Sequence, residues 1–246
     1  MTSGDDAQRG RQWEMLARED PYWTSLTSGK RRMAWKLNEF LATGQREVVW
    51  ALDSAKAFDL YPPSRALALD FGCGPGRLTG ALAQSFDRVV GVDISPSMLD
   101  SARKNYASER ISFAQSTRDI ESGSVDLIYS TFVLQHFPKT ALVTTFEEFA
   151  RLLADGGLLI FQYPEEPRWT LPGIAFKALP TSFMNAAQRY IAGFPEAMPM
   201  NWMKPQKMIT VTAQAGFGVC KSVSGPRYSP NWKDTWYLCA KEAGGR

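Results

Sequence analysis

The sequence of 246 residues is poor in the side chains that build metal and disulfide sites, since it holds one histidine and three cysteines. A single histidine excludes a metal site with several histidine ligands. The cysteines are far apart and form no CxxC pair, so the sequence predicts neither a disulfide framework nor a zinc ribbon. We therefore expect a chain that is held together by its apolar core and works in the reducing cytoplasm.

Charge of one sign and long apolar runs are scarce as well. Lys and Arg number 28 against 25 Asp and Glu, which gives a net charge of +3 and no long basic run. This balance argues against a nucleic-acid partner. No apolar stretch approaches the roughly 18 residues of a membrane span, and the polar start predicts no signal peptide. We expect no stable membrane insertion and a small-molecule partner, with monomer and homodimer both left open.

Apolar segments that alternate with helical ones predict an α/β fold after Pro62. A clear amphipathic helix is expected at about 139–153. Strands alternating with helices are typical of a doubly wound, mostly parallel sheet, and two β-like segments at the end suggest an antiparallel pair at its edge. The predicted strands are 65–70, 89–93, 111–114, 125–130, 158–163, 218–223 and 234–240.

The remaining parts of the chain are assigned to a cap and a lid. Residues 1–62 are predicted to form an N-terminal helical cap, with one helical face in Lys30–Leu41 and a second after a break at Gly44. Residues 63–246 would form the core domain, in which the insertion at about 164–205, rich in Pro, Met and aromatics, is expected to be a lid. The first few residues and the tail 243–246 are expected to lie outside the folded body.

The strongest signal is the glycine-rich turn 69–76, which lies between a predicted strand and a predicted helix. Glycines let the backbone approach a ligand closely. Asp70 at the strand end would repel a pyrophosphate but suits a cationic amino or sulfonium group. Asp93 ends the second strand and can accept hydrogen bonds from ribose hydroxyls. The series favours S-adenosylmethionine over NAD(P), while a ligand-free turn and a simple capping role for Asp93 stay open.

Together these residues resemble the class I (Rossmann-like) S-adenosylmethionine-dependent methyltransferases, and the early segments 20–23 and 40–44 resemble a bacterial small-molecule subgroup. The resemblance implies a seven-stranded sheet of order 3-2-1-4-5-7-6 whose last strand is antiparallel, with N-terminal helices over the cofactor. It rests on the glycine signature, on the ribose acid Asp93, on the fourth-strand exit at 124–137 and on the fifth-strand segment at 152–160.

The resemblance also implies a cofactor site. Many family members carry an acid for the adenine amino group after the third strand, but Asp119 comes late here. Hydroxyl or backbone groups of Ser116 and Thr117 are expected to replace it. The expected set for S-adenosylmethionine is Asp70, Gly72, Cys73, Gly74, Gly76, Asp93, Ile94, Met98, Ser116, Thr117, Ser130, Thr43 and Gly44.

The exit of the fourth strand is the expected place of methyl transfer. His136 is the only side chain in the sequence whose unperturbed pKa lies near neutrality, so it is the candidate general base, with a packing role as the alternative. Aromatic residues suit an apolar acceptor, although core packing would explain them as well. The candidate acceptor residues are Tyr22, Trp23, Gln135, Trp169, Tyr190 and Trp202.

Two alternatives concern charged side chains. Glu165 and Glu166 could bind Mg²⁺, but no acid at the fourth-strand exit completes such a site, so no metal is predicted. The basic run around Met33 could lie on a membrane surface, or it could be a solvated helix face.

The sequence thus predicts an enzyme that moves a methyl group to a small molecule. A hydroxyl of a saccharide or natural product is the favoured acceptor, since His136 could accept its proton. N- or C-methylation and a non-catalytic S-adenosylmethionine-binding protein stay open. Methylation of a macromolecule is disfavoured because no basic stripe is present.

Overall fold

The structure is a computed structural model that describes residues 3–27, 30–106 and 108–242, with side chains from residue 7 onward. The tail 243–246, expected to lie outside the folded body, falls outside the described residues, as do residues 1 and 2.

The described residues form a seven-stranded sheet of order β3-β2-β1-β4-β5-β7-β6. Neighbours among the first five strands pair in parallel, and β7 is antiparallel to both β5 and β6. This topology confirms the expected fold class. The strands are β1 Leu67–Phe71, β2 Arg88–Val92, β3 Ile111–Ala114, β4 Val125–Ser130, β5 Leu153–Pro167, β6 Phe217–Val223 and β7 Trp232–Lys241.

Helices cover both faces of the sheet, which explains why the central strands are apolar runs rather than alternating ones. Every residue of β4 is buried. One core cluster lies between the sheet and α6, and the other lies between the sheet and α3. The helices are α1 Ser3–Glu19, α2 Pro21–Ser25, α3 Leu37–Ala57, α4 Thr79–Leu82, α5 Pro96–Asn105, α6 Leu142–Leu152, α7 Leu171–Ala178, α8 Thr181–Tyr190 and α9 Pro205–Gln214.

The prediction of a helix over Lys30–Leu41 that breaks at Gly44 was wrong. Helix α3 begins at Leu37 and continues through Gly44 to Ala57. Met33 has φ 58°, a left-handed conformation that does not occur inside an α-helix. Gly44 serves close packing instead, since a Cβ built there would lie 2.2 Å from the carbonyl oxygen of Arg77.

The segment expected as a lid has three parts. Residues 164–167 continue β5 along β7, α7 and α8 follow, and an extended stretch leads into α9. The predicted helix 139–153 consists of a 3-10 turn at Lys139–Ala141 followed by α6, which ends at Leu152, directly before β5.

Two further observations concern the whole chain. Cys220 and Cys239 face each other across β6 and β7 and form a disulfide, so the expectation that the fold relies on no disulfide needs this correction. Within the described residues, every helix is too short or too polar to cross a membrane.

Candidate cofactor and acceptor site

A cavity of about 500 Å³ lies beyond the carboxyl ends of β1, β2 and β4. Its volume is within the range of small-molecule sites, and its position is where ligands bind in doubly wound sheets. Helix α1 closes it from outside, because Arg9 and Trp13 line it opposite the glycine turn.

The glycine turn adopts conformations that other residues disfavour. Gly72, Gly74 and Gly76 have φ of 76°, 51° and 87°. A Cβ on Gly72 would lie 2.1 Å from Val133, and one on Gly74 would lie 2.6 Å from the Ser25 hydroxyl. Glycine is therefore required both for the turn and for the close approach of its surroundings.

Asp93 lies at the cavity wall with its carboxylate already oriented. Oδ2 accepts the amide of Gly74 and Oδ1 accepts the amide of Ser95, both at 2.9 Å. Each carboxylate oxygen keeps a second lone pair, which is what two neighbouring ribose hydroxyls would need. Burial raises the pKa of Asp93 to about 6, against the opposing effect of the two amide bonds.

Asp70 lies behind the glycine turn rather than on the cavity wall. Its Oδ2 accepts the Thr79 hydroxyl at 2.6 Å, while its buried Oδ1 accepts no hydrogen bond within the described part of the chain. Burial raises the pKa of Asp70 to about 7. Asp70 therefore supports the start of α4 and the turn from below.

The wall beside Asp93 combines apolar and hydroxyl groups. Ile94, Met98, Ser116 and Thr117 line the cavity, and the Thr117 hydroxyl donates to Glu148 at 2.7 Å. Burial raises the pKa of the Cys73 thiol well above its usual range, so Cys73 contributes a neutral wall.

The comparisons with known proteins agree with this geometry. A family described as a methyltransferase domain matches residues 68–157, which run from β1 into β5. Residues 68–157 match a methyltransferase domain, and the strand order of the sheet is that of the Rossmann-like methyltransferase fold.

Relatives of this methyltransferase domain include trans-aconitate 2-methyltransferases of bacteria. The Methylobacterium radiotolerans protein is 40% identical over 101 residues, which are 40% of this chain and 38% of that protein. The Azoarcus protein is 36% identical over 141 residues, which are 54% of this chain and 53% of that protein. The chain thus spans about two fifths to one half of the length of these relatives.

A solved structure shows the same fold over nearly the whole chain. Magnesium protoporphyrin IX methyltransferase from Synechocystis, with bound SAH, superposes with a TM-score of 0.62 at 18% identity. The match covers 97% of this chain and 100% of that one. It extends the likeness in fold beyond the methyltransferase domain to the N-terminal helices and the C-terminal strands.

The residues of the methyltransferase domain fit S-adenosylmethionine, the cofactor of this class. Gly72 and Gly74 line the cavity without a side chain, Asp93 has free lone pairs, and Ile94 and Met98 offer apolar walls. The structure brings together the predicted cofactor residues Gly72, Cys73, Gly74, Asp93, Ile94, Met98, Ser116 and Thr117.

Other predicted cofactor residues support the site from behind. The Ser130 hydroxyl donates to the Phe71 carbonyl at 3.0 Å, and Gly76 packs against Tyr106. Thr43 and Gly44 lie against Arg77, whose guanidinium forms a buried ion pair with Glu47 at 2.8 Å.

The exit of β4, where the acceptor was expected, forms another side of the cavity. Thr131 and Phe132 line the cavity there together with Arg77. Phe132 has φ 63°, which is rare for a residue with a side chain and is found mainly where the surroundings enforce it. Its amide donates to the Gln162 side chain at 3.3 Å and its ring packs on Tyr228 at 5.1 Å.

His136 lies next to this wall but is not among the residues that line the cavity. Its Nδ1–H donates to the Pro199 carbonyl at 2.6 Å, so in the neutral ring Nε2 is the acceptor, and it faces the Gln135 amide at 3.3 Å. The ring packs on Trp13 at 4.8 Å. Burial lowers the pKa of His136 to about 4. Its role as a base stays a prediction.

The predicted acceptor aromatics do not meet at the cavity. Trp169 and Tyr190 are 82% and 85% exposed on the outer side of α7 and α8. Trp23 is buried against Phe194, and Trp202 packs against Trp232. Of the other two candidates, Tyr22 packs on Phe40, and the backbone carbonyl of Gln135 accepts the amide of Asn201. In this arrangement their assignment to the acceptor has no direct support.

The sequence analysis missed the contribution of α1. Glu14 accepts the Ser95 and Ser97 hydroxyls at 2.6 Å and the Ser97 amide at 3.1 Å, so α1 is attached to the start of α5. Burial would raise the pKa of Glu14, but these bonds outweigh it and lower the pKa to about 2. No motif marks α1, which reads only as a polar segment.

The carboxylates considered for Mg²⁺ are bound to lysines. Glu165 pairs with Lys233 at 2.9 Å and Glu166 with Lys204 at 2.8 Å. Within the ranges that the structure describes, no group of three or more His, Cys, Asp or Glu side chains could hold a metal ion.

Proposed function

We propose that this chain transfers the methyl group of S-adenosylmethionine to a carboxylate oxygen of a small-molecule acceptor. The observation that carries the proposal is the single cavity, which joins the glycine turn and Asp93 on one side to the exit of β4 on the other. One continuous cavity can hold a cofactor and a small acceptor in line, which is the main requirement of this chemistry.

The residues around the cavity have separable roles in the proposed reaction. S-adenosylmethionine, when bound, supplies an electrophilic methyl group on a sulfonium. Gly72 and Gly74 would admit its amino acid part, and Asp93 would accept the ribose hydroxyls. Trp13 on α1 and Phe132 at the β4 exit would exclude water from the reacting atoms.

The charge on the acceptor side supports an anionic acceptor. Arg9 lines the cavity and lies over the Phe137 ring at 4.4 Å, whereas the guanidinium of Arg77, which also lines it, is paired with Glu47. Arginine is well suited to recognising carboxylates because its guanidinium is planar and always charged. The named activity of the trans-aconitate 2-methyltransferases, which resemble this chain, also supports a carboxylate acceptor.

A carboxylate acceptor also agrees with the acid-base groups at the site. It is already ionised near neutral pH and needs no general base. His136 has both ring nitrogens engaged with protein groups, and the hydroxyl of Thr117 already uses Glu148 as its acceptor.

A hydroxyl acceptor with His136 as base is the second candidate. It is favoured by the contact of His136 with Trp13, which itself lines the cavity. In that case the imidazole would have to leave Pro199 before it could take a proton from the acceptor.

The experiment is an acceptor screen with isotope-labelled S-adenosylmethionine. Small di- and tricarboxylic acids are compared with matched alcohols, phenols, sugars and amines, and products are identified by mass spectrometry. We expect labelled methyl esters, which alkaline hydrolysis reverses, to form from the carboxylic acids.

Ether products from the alcohols would overturn the carboxylate assignment and restore the hydroxyl one. Tight binding of S-adenosylhomocysteine without transfer to any acceptor would point instead to a non-catalytic binding protein. Arg9→Lys keeps the charge but not the planar donor geometry, so it should raise the KM of a carboxylate acceptor about tenfold or more.

A further inference from the structure

Helices α7 and α8 expose apolar side chains rather than burying them. Of the fourteen large apolar side chains that are exposed in the described residues, seven lie between residues 169 and 191. Four of them are more than four fifths exposed, a degree that scattered surface residues rarely share. These four are Trp169, Leu171, Tyr190 and Ile191.

The amphipathic pattern of α8 is turned outward. Phe183, Ala186 and Tyr190 follow each other at helical spacing on the exposed side. The polar Gln188 faces inward, where its side chain binds both backbone groups of Met198. An outward apolar stripe is unfavourable in water unless something covers it.

The shorter helix α7 shows the same arrangement. Leu171, Ile174 and Ala178 are exposed at helical spacing, while Phe176 on the other side packs on Trp232. We call the exposed apolar side chains of α7 and α8, together with Trp169 and Ile191, the apolar face.

The charge around the apolar face has one sign. Residues 167–195 contain Arg168, Lys177 and Arg189 and no acid. The Lys177 ammonium lies 4.3 Å from the centre of the Trp169 ring, so a cationic and an aromatic side chain are in contact beside the apolar face.

The basic run 30–36 continues this surface. Arg32 donates to the carbonyl of Gly193, close to the end of α8, and its guanidinium lies 5.8 Å from the Phe194 ring. Three acids form ion pairs with cations of this region, namely Glu19–Arg32, Glu39–Lys30 and Glu196–Arg189, and the buried Asp20 accepts the amide of Met33. Seven basic side chains against these four acids leave the surface positive.

We propose that the apolar face and the basic run 30–36 bind together to the surface of a bilayer that contains anionic lipids. Helices of this kind lie in the interface, with apolar side chains among the acyl chains and Lys and Arg at the headgroups. With 8 and 10 residues, α7 and α8 can lie on a membrane but cannot cross it.

The charge argues against a second copy of the chain as the occupant. A symmetric contact through the apolar face would bring Lys177 and Arg189 towards their own counterparts, and like charges across an interface oppose association. Anionic headgroups complement the same charges without that repulsion.

The test is flotation of the purified full chain with two kinds of vesicle. One is pure phosphatidylcholine, and the other contains about 30% phosphatidylglycerol. We expect at least about tenfold more bound protein on the anionic vesicles, with binding that falls at high salt. Leu171→Ser combined with Ile191→Ser should reduce it about tenfold.

A matched control replaces exposed apolar residues elsewhere. Val49→Ser with Phe58→Ser changes side chains that are 58% and 44% exposed on or beside α3, and it should bind vesicles like the wild type. A second readout needs no destabilising change: brominated lipid should quench the wild-type fluorescence, and Trp169→Phe should clearly reduce that quenching, with Trp35 in the basic run as the remaining contributor.

Several outcomes would overturn the proposal. They are an absence of binding to either vesicle, equal loss in the control variant, and quenching that Trp169→Phe leaves unchanged. A dimer in light scattering that the Leu171/Ile191 variant dissociates, without vesicle binding, would assign the face to a second copy. Capture by an acidic protein in place of vesicles would assign it to a protein partner.

Discussion

Asp93 combines two demands that oppose each other in its carboxylate. As a carboxylate it accepts the amides of Gly74 and Ser95 and, as proposed, would accept the ribose hydroxyls, yet burial at the cavity wall raises its pKa to about 6. The cost of ionising it is offset when a ligand adds hydrogen bonds to the charged form. Cofactor affinity at this position therefore depends on pH in a range that can be measured.

Asp93→Asn should weaken S-adenosylhomocysteine binding about tenfold or more, because an amide turns one acceptor into a donor facing an N–H group. Calorimetric titration at several pH values checks this. Wild-type affinity should fall as pH drops below about 6, since the carboxylate protonates, and the Asn variant should not follow. Asp100→Asn on the exposed side of α5 is the control, and equal losses in both variants would contradict the assignment.

His136→Gln separates the two acceptor hypotheses. With a carboxylate acceptor, turnover should stay within a few-fold, because a glutamine amide can still donate to Pro199 and no base is needed. A drop of roughly 10² or more with unchanged S-adenosylhomocysteine affinity would restore the general base. Single-turnover rates at saturating cofactor provide the measurement.

Helix α1 lies over the cavity and is attached to the rest of the chain by a few side-chain contacts. Glu14 fixes it to α5 and the Gln12 side chain binds the carbonyl of Ala197. Gly10 packs against Ile94, since a Cβ built on Gly10 would lie 3.5 Å from the Ile94 side chain. Because α1 lies across the cavity, we expect it to move for cofactor exchange.

Glu14→Gln should loosen that attachment. It removes the charge that the Ser95 and Ser97 donors stabilise, so backbone amides of α1 should exchange hydrogen faster in the ligand-free protein. S-adenosylhomocysteine should also dissociate several-fold faster in stopped-flow measurements. Glu19→Gln, one turn further along α1, is the control. Unchanged exchange in Glu14→Gln would show that the other contacts of α1, among them Gln12 with Ala197 and the packing of Trp13, hold the helix without Glu14.

Gly44→Ala tests the contact between α3 and the glycine turn. Alanine normally stabilises a helix interior by about 0.5–1 kcal/mol relative to glycine. Here a Cβ would meet the Arg77 carbonyl at 2.2 Å, so we expect destabilisation by about 1–3 kcal/mol. Urea unfolding measures it, with the exposed neighbour Gln45→Ala as control. A stabilised Gly44→Ala would refute the packing role.

Gly44 also shows what the sequence can and cannot predict. The central strands were predictable because burial on both faces leaves unbroken apolar runs, and the fully buried β4 begins and ends at the predicted residues. A glycine in a helical pattern has two meanings, a break or a close contact, and only the neighbour from another part of the chain decides between them.

The site divides in the same way. The glycine turn and Asp93 were predictable because local backbone geometry fixes their residue types. Arg9, Trp13 and Phe132 were not, since their place at the cavity depends on how α1 and the β4 exit pack. Trp169 and Tyr190 were assigned inward because aromatics usually seek apolar surroundings, yet both lie outside.

At the scale of the whole molecule, buried acids control how stability depends on pH. Burial raises the pKa of Asp70 to about 7 and those of Asp93 and Asp234 to about 6. Between pH 4 and these values, the folded state keeps protons that the unfolded state has released. Stability from these groups is therefore highest at low pH and falls as pH rises towards 7.

Two groups act in the opposite direction. Burial lowers the pKa of His136 to about 4, so the unfolded state takes up its proton first as pH falls below the usual histidine range. The low pKa of Glu14 matters only below about 4.5, where its hydrogen bonds are progressively lost. Three raised acids outweigh one histidine, so the ligand-free protein should be most stable in mildly acidic solution.

Urea midpoints at about pH 5.5 and about pH 8 test this balance, and the midpoint should be higher at the lower pH. Asp234→Asn, remote from the proposed cofactor, should shrink the difference because it removes one of the three acids. Saturating S-adenosylhomocysteine should shrink it too, by stabilising the protein more at pH 8, where Asp93 is ionised. A midpoint that rises with pH in the ligand-free wild type would show that His136 dominates instead.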